Sequence, residues 1–126
     1  MANRLTIHYE KKPCYDIVFA PDFGGLLEEL RDLGIADRRA AVIADSNTAA
    51  LYGDAVRNIL EGNCKKVILC SFPAGEEHKT LDTVKGLYKT LIEEKFDRKD
   101  LLIALGGGVV GDIAGYTTAT YLRGVD

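Results

Sequence analysis

Positive charge is in short supply: 16 Lys and Arg stand against 19 Asp and Glu, leaving a formal net charge of -3 over 126 residues. A nucleic-acid footprint or a membrane-surface patch needs clustered positive charge, so neither partner is expected. A phosphate ligand remains open, because backbone N–H groups at a helix start bind one without net charge. Cysteine is scarce too. Cys14, Cys64 and Cys70 are odd in number and form no C-x-x-C pair, and Cys70 closes an apolar run, which reads as a buried structural thiol. The two histidines, His8 and His78, have no partner at metal-ligand spacing, so no complete metal site is expected in this chain. Long apolar runs are missing as well. The opening "MANRLTIHYEKK" is broken by Arg4, Glu10 and Lys11 and does not read as a signal peptide, and no segment approaches a membrane span. The expected location is the cytoplasm. Without repeats, low-complexity tracts or a Pro/Ser-rich linker, residues 1–126 read as one domain.

What is present is a regular alternation of short apolar runs and amphipathic stretches. "RLTIHYE" alternates Leu5, Ile7 and Tyr9 with polar residues and pairs with "YDIVFA" as a β-hairpin. "PDFGGLLEELRDLG" sets Phe23, Leu26, Leu27, Leu30 and Leu33 on one helical stripe, with Gly34 placed to end it. "RAAVIAD", "KKVILC" and "LLIAL" read as buried strands. Between them, "SNTAALYGDAVRNILEG" carries Leu51, Ala55, Val56, Ile59 and Leu60 at helical spacing. "TLDTVKGLYKTLIEEK" does the same with Leu81, Val84, Leu87, Tyr88, Leu91 and Ile92, behind Thr80 as an N-cap. The order predicts an α/β fold: a Rossmann-like, three-layer parallel sheet with an N-terminal β-hairpin.

Ligands of such sheets bind outside the carboxyl ends of the strands. Three segments leave strands there: "DSN" at 45–47, "PAGEEHK" at 73–79 and "GGGVVGD" at 106–112. They bring Asp45, Asn47, Glu76, Lys79 and a glycine-lined helix start toward one place. Gly106–Gly108 can take positive φ and let a pyrophosphate reach free N–H groups at the positive end of the helix dipole. The competing reading is a tight turn only, and the spacing fits G-x-G-x-x-G only loosely. Gly111 and Gly115, one turn apart, read as close helix packing. Asp112 reads either as a first-turn carboxylate on the dipole or as a ligand contact. Capping by Ser46 or Asn47 competes with a ribose contact at Asp45 and Asn47, and Glu76 and Lys79 could be solvated loop charges.

The segments "DSN", "PAGEEHKT" with its G-E-x-x-K at 75–79, and "ALGGGVVGDIAGYTTATYLRGV" at 104–125 resemble the N-terminal part of 3-dehydroquinate synthase, a sugar phosphate cyclase. The resemblance covers the whole chain and implies NAD as cofactor. It implies that Asp45 and Asn47 face the adenosine side and that Gly75, Glu76 and Lys79 belong to the loop that folds over NAD. Gly107, Gly108 and Val109 then lie along the pyrophosphate, and Asp112 holds the nicotinamide ribose end. Arg123 matches the arginine that meets the substrate phosphate. The implied reaction converts 3-deoxy-D-arabino-heptulosonate 7-phosphate, a phosphorylated sugar acid, to 3-dehydroquinate and phosphate in the shikimate pathway, a carbon–oxygen lyase step. A divalent metal, zinc or cobalt, polarises the hydroxyl that is oxidised. A homodimer is implied as well.

By the same resemblance, the strand and loop after "RGVD", the lysines and asparagine around the substrate, and a later helical domain with the Glu and two His metal ligands are expected to lie outside these 126 residues. No catalytic residue and no metal ligand is therefore assigned here, and no turnover is expected from the chain alone. Self-association beyond the dimer is expected where apolar surface meant for the second domain is bared. The alternatives are another cyclase such as 2-deoxy-scyllo-inosose synthase, a metal-dependent glycerol or alcohol dehydrogenase, and a non-catalytic nucleotide-binding module. The R-G-V stretch and the G-E-x-x-K loop count against the dehydrogenases.

Overall fold

The computed structural model describes residues 3–123, the Arg123 side chain excepted. Strands β1 (Asn3–Tyr9) and β2 (Lys12–Phe19) form an antiparallel hairpin that stands as its own two-stranded sheet. The chain then runs through α1 (Leu26–Asp32), β3 (Arg39–Asp45), α2 (Ser46–Thr48), α3 (Asp54–Leu60), β4 (Lys66–Phe72), α4 (Leu81–Glu93), β5 (Leu101–Leu105) and α5 (Gly108–Thr120). The second sheet is parallel in the order β4-β3-β5, its strands joined through helices as parallel strands need.

β3 is central because its sequence allows it. Ala40 to Ala44 are wholly buried, and alternate residues feed opposite layers. Ala41 and Ile43 join Leu87, Leu91, Val110 and Ile113 under α4 and α5. Ala40, Val42 and Ala44 join Leu30, Val56 and Leu60 under α1 and α3. The predicted three-layer fold with its hairpin is what the chain forms.

At the pole opposite the carboxyl ends, the Arg39 guanidinium holds buried Asp100 at 2.6 and 3.1 Å and the carbonyls of Glu94 and Lys95. The side chain also lies over the Phe96 ring at 5.0 Å. This knot fixes the entry to β5.

Several stripes are narrower than the spacing suggested. Leu33 is 70% exposed, because α1 stops at Asp32. Leu81 and Ile92 are likewise exposed at the two ends of α4. The helix after β3 is interrupted by a π turn, Ala49–Gly53. The extra residue of a π turn rotates the helix beyond it, and Leu51 points outward, 70% exposed. Gly53 meanwhile presses so close to β4 that a Cβ there would stand 2.9 Å from Leu69 Cδ2.

Candidate functional site

The three turns at the carboxyl ends of β3, β4 and β5 meet, and hydrogen bonds join them. Ser46, first residue of α2, accepts the Ala74 N–H on Oγ at 3.0 Å, tying the β3 turn to the β4 turn. Thr48 donates its hydroxyl to the Leu105 carbonyl at 2.9 Å, tying the β3 turn to β5. Lys79 Nζ reaches Asp112 Oδ2 at 2.7 Å, tying the β4 turn to α5. Convergence of distant segments, expected from topology alone, is thus built from specific contacts.

α5 starts the site. Its N-cap is Gly107, which has no side chain to satisfy the first N–H groups, and no other side chain caps them among the described residues. A 13-residue helix leaves a positive end there. Gly106 sits at φ +156°, and a Cβ on it would fall 2.6 Å from Val110 Cγ2, so a larger residue is excluded by both backbone and space. Gly107 and Gly108 face open space where a Cβ would stand. That bare, exposed main chain leaves room for a ligand such as a diphosphate to approach. Val109 behind it is half-buried against the α4–α5 core.

Asp45 ends β3, half-buried, and is itself the cap of α2. Its Oδ1 accepts the Thr48 N–H at 2.8 Å, and the Thr48 hydroxyl answers the Asp45 N–H at 3.2 Å. The cap expected of Ser46 or Asn47 is therefore supplied one residue earlier, because the strand runs to the last residue before the helix. The Thr48 N–H, above all, holds the Asp45 carboxyl below its ordinary range. Asn47 is exposed beside it.

The β4 turn holds Gly75 at φ +124°, followed by a 3-10 turn over Glu76–His78. Glu76 is mostly exposed, 3.9 Å from Lys79. Lys79 is no free loop charge: the Asp112 carboxylate raises its pKa above the ordinary lysine value and keeps it protonated. Asp112 is the fifth residue of α5, and no acidic residue lies in that helix's first turn. The first-turn dipole reading is corrected, because the helix starts only at Gly108; the carboxylate serves Lys79 instead. Gly111 and Gly115 also depart from expectation. A Cβ at either meets nothing within 4 Å, so among the described residues they pack against no neighbour.

Beside the Lys79–Asp112 pair lies a pocket of about 330 Å³ lined by Leu81, Val84, Ile113 and Tyr116. The Arg123 side chain lies outside the described residues. Ser46 is read from the sequence only as a cap, and Thr48 not at all; that their hydroxyls join the turns has no signal beyond a place in the first turn after a strand, which every helix start shares. Among the described residues no group of three or more His, Cys, Asp or Glu is arranged to hold a metal ion. No helix there is long and apolar enough to cross a membrane.

A family model described as 3-dehydroquinate synthase N-terminal matches residues 69–126. The chain is 37% identical over 126 residues to 3-dehydroquinate synthase of Streptococcus suis (strain 05ZYH33), covering 97% of this chain and 34% of that protein. To 3-dehydroquinate synthase of Ruminiclostridium cellulolyticum it is 39% identical over 126 residues, with 98% and 34% covered. To that of Symbiobacterium thermophilum it is 46% identical over 88 residues, with 70% and 25% covered. The chain thus spans about a third or less of the length of these relatives. Among solved structures, 2-deoxy-scyllo-inosose synthase complexed with carbaglucose-6-phosphate, NAD+ and Co2+ has the same fold. Its TM-score is 0.83 at 24% identity, over 98% of this chain and 33% of that one. The 2-epi-5-epi-valiolone synthase from Streptomyces hygroscopicus subsp. jinggangensis 5008, with NAD+ and Zn2+ bound, matches at TM-score 0.71 and 26% identity, over 96% and 33%.

Proposed function

The chain carries the N-terminal region of the 3-dehydroquinate synthase family, and from that premise we propose that it is the NAD-binding part of such an enzyme. The parent activity is the conversion of 3-deoxy-D-arabino-heptulosonate 7-phosphate to 3-dehydroquinate and phosphate, a lyase reaction of aromatic amino acid biosynthesis in the cytoplasm. The observation that supports this reading most is the joining of three rim turns around an uncapped, glycine-lined helix start.

Each residue has a task toward the dinucleotide. The first N–H groups of α5, with Gly107 and Gly108 leaving room, bind the diphosphate, and Val109 packs the helix start beneath it. Asp45 and Asn47 take the adenosine ribose, Asp45 through the carboxylate oxygen its cap does not use. Gly75 sets the bend that brings Glu76 and Lys79 across the site. Asp112 keeps Lys79 charged and close, at the nicotinamide end. Arg123 is assigned to the substrate phosphate by resemblance alone. Bound NAD supplies a hydride acceptor, which transiently oxidises a substrate hydroxyl and acidifies the neighbouring C–H. The described residues do not fit a complete divalent-metal site, and no step through zinc or cobalt is assigned to them.

A homodimer belongs to the same proposal. Another sugar phosphate cyclase is the second reading, favoured by the likeness to 2-deoxy-scyllo-inosose synthase. The higher sequence identity to dehydroquinate synthases ranks it second. Titration of NAD into the purified chain by calorimetry tests the binding role. Weak but saturable binding is expected, and no saturation at any accessible concentration leaves only a structural module. With NAD, zinc and the heptulosonate phosphate, these 126 residues alone should release no phosphate. Robust release would contradict the division of labour.

A further inference from the structure

One hydroxyl sits where two of the three turns are joined. Thr48 Oγ1 accepts the Asp45 N–H at 3.2 Å, lies 3.0 Å from Asp45 Oδ1 and reaches the Leu105 carbonyl at 2.9 Å. A hydroxyl has one proton to give. Asp45 Oδ1 also takes the Thr48 N–H at 2.8 Å, and the Asp45 carbonyl stands 3.4 Å from the hydroxyl. The single proton is thus shared between Asp45 and Leu105, whose carbonyl is the nearest acceptor and belongs to the peptide that opens the glycine turn. The same hydroxyl oxygen closes in on the turn itself, lying 3.4 Å from where a Gly106 Cβ would stand.

We propose, resting on the NAD-binding reading above, that Thr48 is a positioning residue for the cofactor. It fixes the Leu105–Gly106 peptide and so aims the next N–H groups of the turn at the diphosphate. It acts through Leu105 and Gly106. Because Thr48 also holds Asp45 in the α2 cap, it links the ribose carboxylate to the diphosphate turn through a single side chain. A shift of Asp45 on taking a ribose hydroxyl is passed to the glycine turn by the same atom.

Thr48→Val keeps the branched shape and removes the hydroxyl, and Thr48→Ser keeps the hydroxyl. In the ¹⁵N-labelled 126-residue protein without ligand, Thr48→Val should move the backbone amide signals of Gly106, Gly107 and Gly108. It should also weaken NAD binding about tenfold in calorimetry, the worth of one hydrogen bond of about 1.4 kcal/mol. Thr48→Ser should leave both near wild type. If Thr48→Val does not fold, Thr48→Ala takes its place, with the same expectation. Unmoved glycine signals with wild-type affinity in the hydroxyl-free variant overturn the proposal. So does an equal loss in Thr48→Ser, which would make the methyl, not the hydroxyl, the active part. If the wild type itself binds no NAD, the functional reading fails, and the ligand-free amide signals still judge the link from Thr48 to the turn.

Discussion

Single side chains carry definite chemical expectations. Cys70 is buried, and desolvation, with a smaller contribution from Glu94, pushes its thiol up to about 11. Thiolate is the reactive form, so iodoacetamide at neutral pH should label exposed Cys14 and spare Cys64 and Cys70 in the folded protein. Peptide mass spectrometry reads this directly, and labelled Cys70 in native protein would contradict its burial. Asp100 is the buried anion of the Arg39 knot. Asp100→Ala takes from the guanidinium its nearest carboxylate, leaving it the Glu94 and Lys95 carbonyls, and strips the Asp97 N–H of its acceptor; it should cost about 3 kcal/mol in denaturant unfolding. Among the described residues two carboxyls have lowered pKa values: Asp16 through the Thr6 hydroxyl and then Arg4, Asp45 through the Thr48 N–H. A depressed carboxyl contributes stability that is fully present above its unfolded value, 3.8 here, and lost as pH falls through the lower folded value. The thermal midpoint should therefore drop below about pH 4. A midpoint flat through that range would mean that neither contact matters to folding.

At the level of helices and strands, the sequence pattern placed every core strand and most helix limits. β3 coincides with "RAAVIAD", and Thr80 caps α4 by accepting the Thr83 N–H. Both arise from local chemistry: an apolar run between breakers, and a hydroxyl before a periodic stretch. What spacing could not give is how far a stripe stays buried. Leu33, Leu51, Leu81 and Ile92 fit the period yet lie outside, since burial depends on where the helix ends and which element faces it. The π turn was equally hidden: its last residue, Gly53, meets Leu69 of β4, a contact between distant segments that leaves no periodic trace. Gly86 lies exposed within α4 with open space at its Cβ position. Gly86→Ala should raise stability by about 0.5–1 kcal/mol, and Thr80→Ala should lower it by about 1 kcal/mol. A chemical melt of each variant checks the pair.

Across the molecule, the hairpin stands apart. One of its faces carries Leu5, Tyr15, Ile17 and Phe19, all exposed. Its other face holds Arg4, which pairs with Asp16 and with Glu29 on α1. An exposed apolar face of this kind favours association, so sedimentation should show the chain's mass rising with concentration. A sharp monomer throughout would contradict that. The candidate site was legible as a place: the rule that ligands lie beyond the carboxyl ends of parallel strands gathers Asp45, Glu76, Lys79 and Gly106–Gly108 without coordinates. Its wiring was not, because Ser46 to Ala74, Thr48 to Leu105 and Lys79 to Asp112 span 28, 57 and 33 residues. Such pairs leave no periodic trace. The most direct test of the whole account is an NAD titration of the ¹⁵N-labelled protein. The backbone amides of Gly106 to Val110 should shift together with those of Asn47 and Lys79, along one binding curve. Shifts confined to other surfaces, or none at concentrations that saturate the amide signals of a known NAD-binding control, would contradict it.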